Sequence, residues 1–311
     1  MTLKPGPEIA GQGADRAVKQ PFRAFPRRPS MHVLALIAAG LYVVGPLPAA
    51  KADPNPQSQE YFPKPAPLNG DTVPFLPLGS STTPSAPTLG VIGDSVARDY
   101  AYYLARELGP DGVRVVDGAI PNCPAGTLPL IERARGGKVL PRGGACPKFV
   151  LTKQSGLVTD FHPKVILWHS MVEIYDVYNG QLEIASGSPE WERRVLAQWE
   201  DTLTRITRNG AQVVTVMPLW YEHNPPVPLN APGPSIEKLR DLYTRWASRH
   251  RDHVTLVDVA PVACPSGPPC GPVNGVEFRP DNSHFSDAGG SRVAAYLKSH
   301  VPALARLSGA G

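Results

Sequence analysis

The stretch Thr88-Leu89-Gly90-Val91-Ile92-Gly93-Asp94-Ser95, running on into Val96-Ala97-Arg98-Asp99-Tyr100, decides how the rest of the chain is read. Its short apolar run has the pattern of a buried strand. The run ends at Gly93-Asp94-Ser95, and a helix-compatible segment follows at once. Ser95 is therefore expected on a strand-to-helix turn, beside backbone N–H groups that the first turn of a helix leaves without intrahelical acceptors. A serine in that setting suits nucleophilic attack that develops an oxyanion. It lacks a base and a carboxylate to orient that base. Asp281-Asn282-Ser283-His284 supplies both, far down the chain.

Between these two ends, strands and helices alternate. Residues 96–108 read as a helix with Val96, Tyr100, Tyr103 and Leu104 on one side, ending near Gly109-Pro110. Further apolar strands are expected at 113–119, 164–169, 212–218 and 254–259. Ser188 is a helix N-cap with Pro189 at the first helical position, and Trp191, Val195, Trp199, Leu203 and Ile206 step at helical spacing to Asn209-Gly210. A second helix has Ser235 as its cap and Ile236, Leu239, Tyr243 and Trp246 inside; a last one is capped by Ser286 and carries Val293 and Leu297. Five apolar strands alternating with helices predict a parallel sheet covered on both faces, a three-layer α/β/α domain over 88–302 with 303–311 as a tail. Residues 120–148, rich in Gly, Pro and Cys, read as a long excursion that shapes a binding face. Sites in such sheets lie at the carboxyl ends of the strands. Ser95, Gly118 and His169 fall there, with His284 on a late loop, so they can converge.

The N-terminal region has a different character. Arg27-Arg28 precede the apolar run Met31 to Gly45, and Ala50-Lys51-Ala52 offers a small-x-small cleavage pattern. Residues 1–52 thus read as an export signal peptide, with an uncleaved membrane anchor as the alternative. Either places the remainder outside the cytoplasm. Residues 53–87 hold nine prolines and read as an extended, disordered linker. Of the 31 Lys/Arg, seven lie in residues 1–52, against two of the 27 Asp/Glu, so the remainder carries 24 basic and 25 acidic residues. That balance implies no nucleic-acid partner. The cysteines, Cys123, Cys146, Cys264 and Cys270, lack the paired spacing of a zinc site. In an exported protein an even count favours two disulfides. Sequence order suggests Cys123–Cys146 and Cys264–Cys270, one of three connectivities, with buried free thiols as the alternative. No metal-ligand spacing and no phosphate-cradling glycine loop occurs, so no cofactor is expected.

Gly93-Asp94-Ser95 early and Asp281-x-x-His284 late resemble the SGNH (GDSL) hydrolase superfamily. The resemblance extends through Pro121-Asn122-Cys123-Pro124, Cys146-Pro147, Cys264-Pro265 to Cys270-Gly271, and Asp281 to Ser286. These segments are similar to one subgroup, the extracytoplasmic SGNH domain often fused to bacterial membrane O-acyltransferases. The resemblance implies a flavodoxin-like fold on a five-stranded parallel sheet and a catalytic set of Ser95, Asp281 and His284. It also implies an oxyanion hole from the backbone N–H groups of Ser95 and Gly118. The sequence departs from the family at its third block, usually Gly-x-Asn-Asp. Here the third strand ends Trp168-His169-Ser170-Met171-Val172-Glu173, with no asparagine to donate. His169, Ser170 and Asn122 are candidate substitutes, with a packed strand end and a turn-forming asparagine as alternatives. Trp168, Trp220 and Tyr221 could stack on sugar rings and Glu222-His223 could bond hydroxyls, with core or loop packing as the commoner use.

These features predict an exported serine esterase or O-acyltransferase acting on O-acyl groups, acetyl in the first instance, of a cell-envelope glycan. A separate membrane acyl donor is the partner the resemblance implies. The alternative is a silent glycan-binding or scaffold domain that keeps the fold.

Overall fold

The structure, a computed structural model, describes residues 76–78, 85–133, 139–142, 146–178, 182–220 and 236–309. The expected N-terminal signal or anchor, most of the expected linker, Tyr221, Glu222, His223 and the Ser235 cap lie outside these residues. In chain order the strands are β1 (Leu76–Leu78), β2 (Thr88–Gly93), β3 (Arg114–Asp117), β4 (Leu130–Arg133), β5 (Val139–Arg142), β6 (Val165–His169), β7 (Asp176–Tyr178), β8 (Glu183–Ile184), β9 (Gln212–Val216) and β10 (Val254–Val257). The helices are α1 (Ser95–Leu108), α2 (Cys146–Phe161), α3 (Pro189–Thr207), α4 (Ile236–Arg249), α5 (Ala260–Ala263), α6 (Asp287–His300) and α7 (Pro302–Leu307).

The main sheet has the order β1-β3-β2-β6-β9-β10. Five of its strands are parallel, in the 2-1-3-4-5 order of a flavodoxin-like sheet. Every residue of β2 and of β6 is buried, as a parallel sheet covered on both faces requires. α1 packs on α6, and α2 on α3. The five expected strands are therefore present, and one more was not expected. β1 pairs antiparallel with β3, Leu76 opposite Asp117, within the stretch read as linker. Its Pro77 is tolerated because β1 is an edge strand.

Ser188 and Ser286 cap α3 and α6 as expected, accepting from the N–H groups of Trp191 and Gly289 at 3.2 and 3.1 Å. Two other expectations need correction. The stretch read as a tail begins with α7, whose Leu304 is fully buried. The excursion at 120–148 contains strands: β4 and β5 join β7 and β8 in a second, antiparallel sheet of order β5-β4-β7-β8. It ends in α2, which the sequence pattern did not reveal. The buried side of α2 includes Lys153 and Gln154 among Val150, Leu157 and Val158, so its apolar stripe is broken.

Cys123 pairs with Cys146 and Cys264 with Cys270, with Cα separations of 5.5 and 4.9 Å. Trp168 is completely buried, its ring 5.1 Å from that of Trp246 and 6.2 Å from that of Trp199. It is a core residue and not a substrate contact, because a side chain near the end of a central parallel strand points into a helix layer. Among the described residues, no helix is long and apolar enough to cross a membrane.

Candidate active site

β2 and β6 run side by side with Gly93 opposite His169, at the point where the strand order reverses. Gly93 adopts φ +134°, and a Cβ there would lie 1.6 Å from the His169 carbonyl oxygen. Only glycine lets the strand turn this close to its neighbour. Asp94 then caps α1, its Oδ1 accepting from the N–H groups of Val96 and Ala97 at 3.0 and 3.3 Å. Its other oxygen accepts from the Met171 N–H at 2.8 Å, fastening the turn to the segment after β6. Ser95 follows as the first residue of α1, so its N–H has no acceptor within the helix.

The late segment meets this turn. His284 Nε2 lies 2.8 Å from Ser95 Oγ, and its Nδ1 lies 2.7 Å from Asp281 Oδ2. Asp281 Oδ1 accepts from the N–H groups of Ser283 and His284 at 2.9 and 2.6 Å. Asn282 takes the left-handed φ of +67° that closes this tight turn, a conformation asparagine tolerates. The three residues from opposite ends of the sequence thus form one hydrogen-bonded chain.

Electrostatics set the charge states along it. The hydrogen bond that His284 donates to Asp281 raises the histidine above its ordinary value against the opposing effect of burial, and the nearby Asp99 carboxyl adds to the rise. Burial would raise Asp281, but its bonds from His284 and Ser283 win and hold it down at about 2. A carboxylate that is always charged, at Nδ1, keeps the Nδ1–H tautomer and leaves Nε2 free to accept the serine proton.

The other expected site residues fare differently. Gly118 does not offer an oxyanion donor, because its N–H donates to the Val91 carbonyl at 2.8 Å as the sheet pairing continues past β3. The N–H groups of Ala119 and Ile120 are also taken, by Asp117 Oδ1 and by the Gly93 carbonyl. Asn122 sits at φ +63° in the turn before Cys123, where the Cys123 N–H donates to the Ile120 carbonyl. Its role is that of a turn former.

Ser170 is fully buried and donates to Glu173 Oε2 at 2.5 Å, so it is not a substrate contact. His169 is buried too, its Nδ1 3.0 Å from the Val216 carbonyl. A carbonyl only accepts, so Nδ1 carries the proton and Nε2 is left as an acceptor, in a ring that lines a small cavity with Val96, Tyr100 and Ser283. Burial pushes its pKa down. One face of Trp220 is covered by the Arg240 guanidinium, 3.8 Å from the ring centre.

Two residues with evident roles escaped the sequence reading. Asp94 is one; an aspartate before a helix is an ordinary cap signal, but its second bond, to Met171, is long-range. Asp99 is the other. It is 1 % exposed and accepts from the Phe285 N–H at 2.9 Å. A carboxylate inside an otherwise apolar helix stripe was the signal available.

With this geometry in view, the family model for the SGNH domain (fused to AT3 domains) matches residues 60–299. The chain belongs to the SGNH domain family. As a member it is a serine esterase or acyltransferase. No curated protein matches it in sequence. Among solved structures it is similar to the Salmonella ser. Paratyphi A lipopolysaccharide acetyltransferase periplasmic domain, with 11% identity, 71% of this chain and 85% of that one covered, and a TM-score of 0.47. It is also similar to an aryl esterase of M. smegmatis (16% identity, 70% and 100% covered, TM-score 0.46). A third is Est24, a carbohydrate acetylesterase from Sinorhizobium meliloti (12% identity, 70% and 99% covered, TM-score 0.45).

Proposed function

We propose that this SGNH domain is an exported serine esterase or O-acyltransferase, acting on O-acyl groups, chiefly O-acetyl, of a cell-envelope glycan through an acyl-Ser95 intermediate. The observation that carries the reading is the chain Ser95 Oγ to His284 Nε2 at 2.8 Å and His284 Nδ1 to Asp281 at 2.7 Å. His284 takes the Ser95 proton as Oγ bonds to the ester carbonyl carbon. The tetrahedral oxyanion faces the Ser95 N–H at the start of α1. The intermediate collapses, the C–O bond to the leaving alcohol breaks, and His284 returns the proton to that alcohol. Water or a sugar hydroxyl, deprotonated by His284 in turn, then takes the acyl group, and His284 returns that proton to Ser95 Oγ as the acyl–oxygen bond breaks. Hydrolysis and transfer differ only in which acceptor arrives.

A short acyl group is supported by a cavity lined by Val96 and Ser283, the chain neighbours of Ser95 and His284. It measures about 10 Å³ and is lined also by His169 and Arg279 and by Tyr100, Met171, Leu219 and Phe285. That is about the room of one water, which suits a small acyl methyl. Two disulfides suit an oxidising compartment, and the leader expected at 1–52 would take the domain there. The family's fusion to AT3 domains supports a membrane acyl-donor protein as partner.

The test is p-nitrophenyl acetate turnover by the full chain, wild type beside Ser95→Ala and His284→Ala. Each variant should fall on the order of 10³-fold or more with its fold intact. Equal rates in all three would overturn the reading. Acetylated product formed when a sugar acceptor is added would assign transfer; free acetate alone would assign hydrolysis.

A further inference from the structure

α1 carries three polar side chains at helical repeats of four: Ser95, Asp99 and Tyr103. Residues four apart on a helix stand one above another on the same face. The first reaches His284. The other two hold the peptide of the next residue: Asp99 Oδ2 accepts from the Phe285 N–H at 2.9 Å, and the Tyr103 hydroxyl donates to the Phe285 carbonyl at 3.4 Å. All three contacts are made by one rigid element. Asp99 and Tyr103 are 1 % and 5 % exposed, so water does not compete at either clamp.

We infer that Asp99 is a positioning residue for the Ser95–His284 pair, fixing the histidine loop on the helix that carries the nucleophile and facing the imidazole with a second carboxylate. The inference rests on the reading of Ser95 and His284 given above. The chain of contacts explains how segments 189 residues apart keep a 2.8 Å hydrogen bond. The loop cannot slide along α1 without breaking the Phe285 clamps, and the helix fixes the spacing between clamp and nucleophile.

The charged groups that Asp99 faces are His284 and Asp281 on the loop and Asp94 at the head of its own helix. His284 in turn faces Asp281, Asp99 and Asp94. Burial pushes the Asp99 carboxyl up to about 7, against the opposing influence of His284. Above that pH its negative charge favours the imidazolium that forms when Ser95 gives up its proton. Asp281 orients the ring through Nδ1; Asp99 holds the loop and adds charge without touching the ring nitrogens.

The experiment uses the full chain and p-nitrophenyl acetate, with kcat and KM measured across pH for wild type, Ser95→Ala, Asp99→Asn and Tyr103→Phe. Asp99→Asn keeps an oxygen to accept from Phe285 but loses the charge. Its acid limb should move to lower pH by about half a unit or more, with kcat at pH 8 down several-fold and KM unchanged. Tyr103→Phe should lower kcat a few-fold with the limb in place, separating clamp from charge. The imidazole titration of His284 by 15N NMR should report the same downward move in Asp99→Asn, a reading that does not need turnover. If Ser95→Ala is dead while Asp99→Asn matches wild type in pH profile and His284 titration, Asp99 is structural only and the inference is overturned. If wild type is no faster than Ser95→Ala, the functional reading falls and takes the inference with it.

Discussion

β2 and β6 lie next to each other and end level, and at their ends each brings a serine into a small hydrogen-bonded set with an acid nearby. Ser95, after β2, opens a helix and meets His284, whose side chain is 38% exposed. Ser170, after β6, is fully buried and spends its hydroxyl on Glu173. The histidines divide in the same way. His284 has a carboxylate on Nδ1 and a raised pKa; His169 has a carbonyl on Nδ1 and a lowered one. Residue type does not separate the pairs. What separates them is which element follows the strand, how deeply the ring is buried, and whether Nδ1 meets a charge or a neutral dipole.

The sharpest way to break the contrast is to give His284 a neutral partner like that of His169. Asp281→Asn keeps an oxygen for the Ser283 and His284 N–H groups, so the turn should persist. Its amide can face Nδ1 with a donor, which pushes the proton to Nε2 and leaves no lone pair for Ser95. Turnover of p-nitrophenyl acetate should drop by about 10²–10⁴-fold in kcat with KM little changed. A variant within a few-fold of wild type would mean that the carboxylate is not what distinguishes the two histidines.

The second contrast is between the serines. Ser170→Ala removes the donor to Glu173, a carboxyl already pushed up to about 7 by complete burial. Leaving a buried acceptor unpaired should destabilise the fold by about 1–3 kcal/mol. The folded variant should still turn over substrate within a few-fold of wild type. Thermal unfolding and rate measured on the same sample check both halves, and a loss of activity as large as that of Ser95→Ala would erase the distinction.

How far this division could be read in advance follows from which contacts are local. The turn at Gly93-Asp94-Ser95 was legible because strand, turn and cap signals are all sequential, and Asp281 reaches His284 within one turn. The parallel sheet was legible from its wholly apolar strands. Gly118 was assigned a donor role by family pattern, and the structure assigns its N–H to Val91, because whether a strand stops pairing at a given residue depends on its neighbour. Trp168 could face either layer or the site; only the packing of α3 and α4 decides it. β1 and the second sheet are strands of two to four residues with Pro, Gly or Arg in or beside them, too short for a period to show. Asp99 is not legible as a site residue from the sequence, since its partner Phe285 is 186 residues away.

The smallest expected effect concerns stability against pH, where the two histidines act with opposite sign. Stability rises with pH where the unfolded chain binds more protons and falls where the folded chain does. Asp99 and Glu173, raised by burial to about 7, bind protons in the folded state that they release when unfolded at pH 5.5 to 7.5. Asp117, also raised by burial, acts in the same direction, as does His284, raised by Asp281. His169, lowered by burial, does the reverse: unfolding frees it to take up a proton below its ordinary value. Lys153, lowered by burial to about 8, sides with His169 but keeps most of its proton throughout this interval, so the two carboxyls near 7 dominate and acidification from pH 7.5 to 5.5 should raise the melting temperature. Turnover should fall over the same interval, as His284 gains the proton it must accept from Ser95. His169→Asn keeps an amide donor for the Val216 carbonyl and removes the opposing group, so its melting temperature should climb more steeply with acid than that of wild type. Parallel curves for the two proteins would mean that His169 stays neutral folded or unfolded, and the contrast with His284 would then rest on geometry alone.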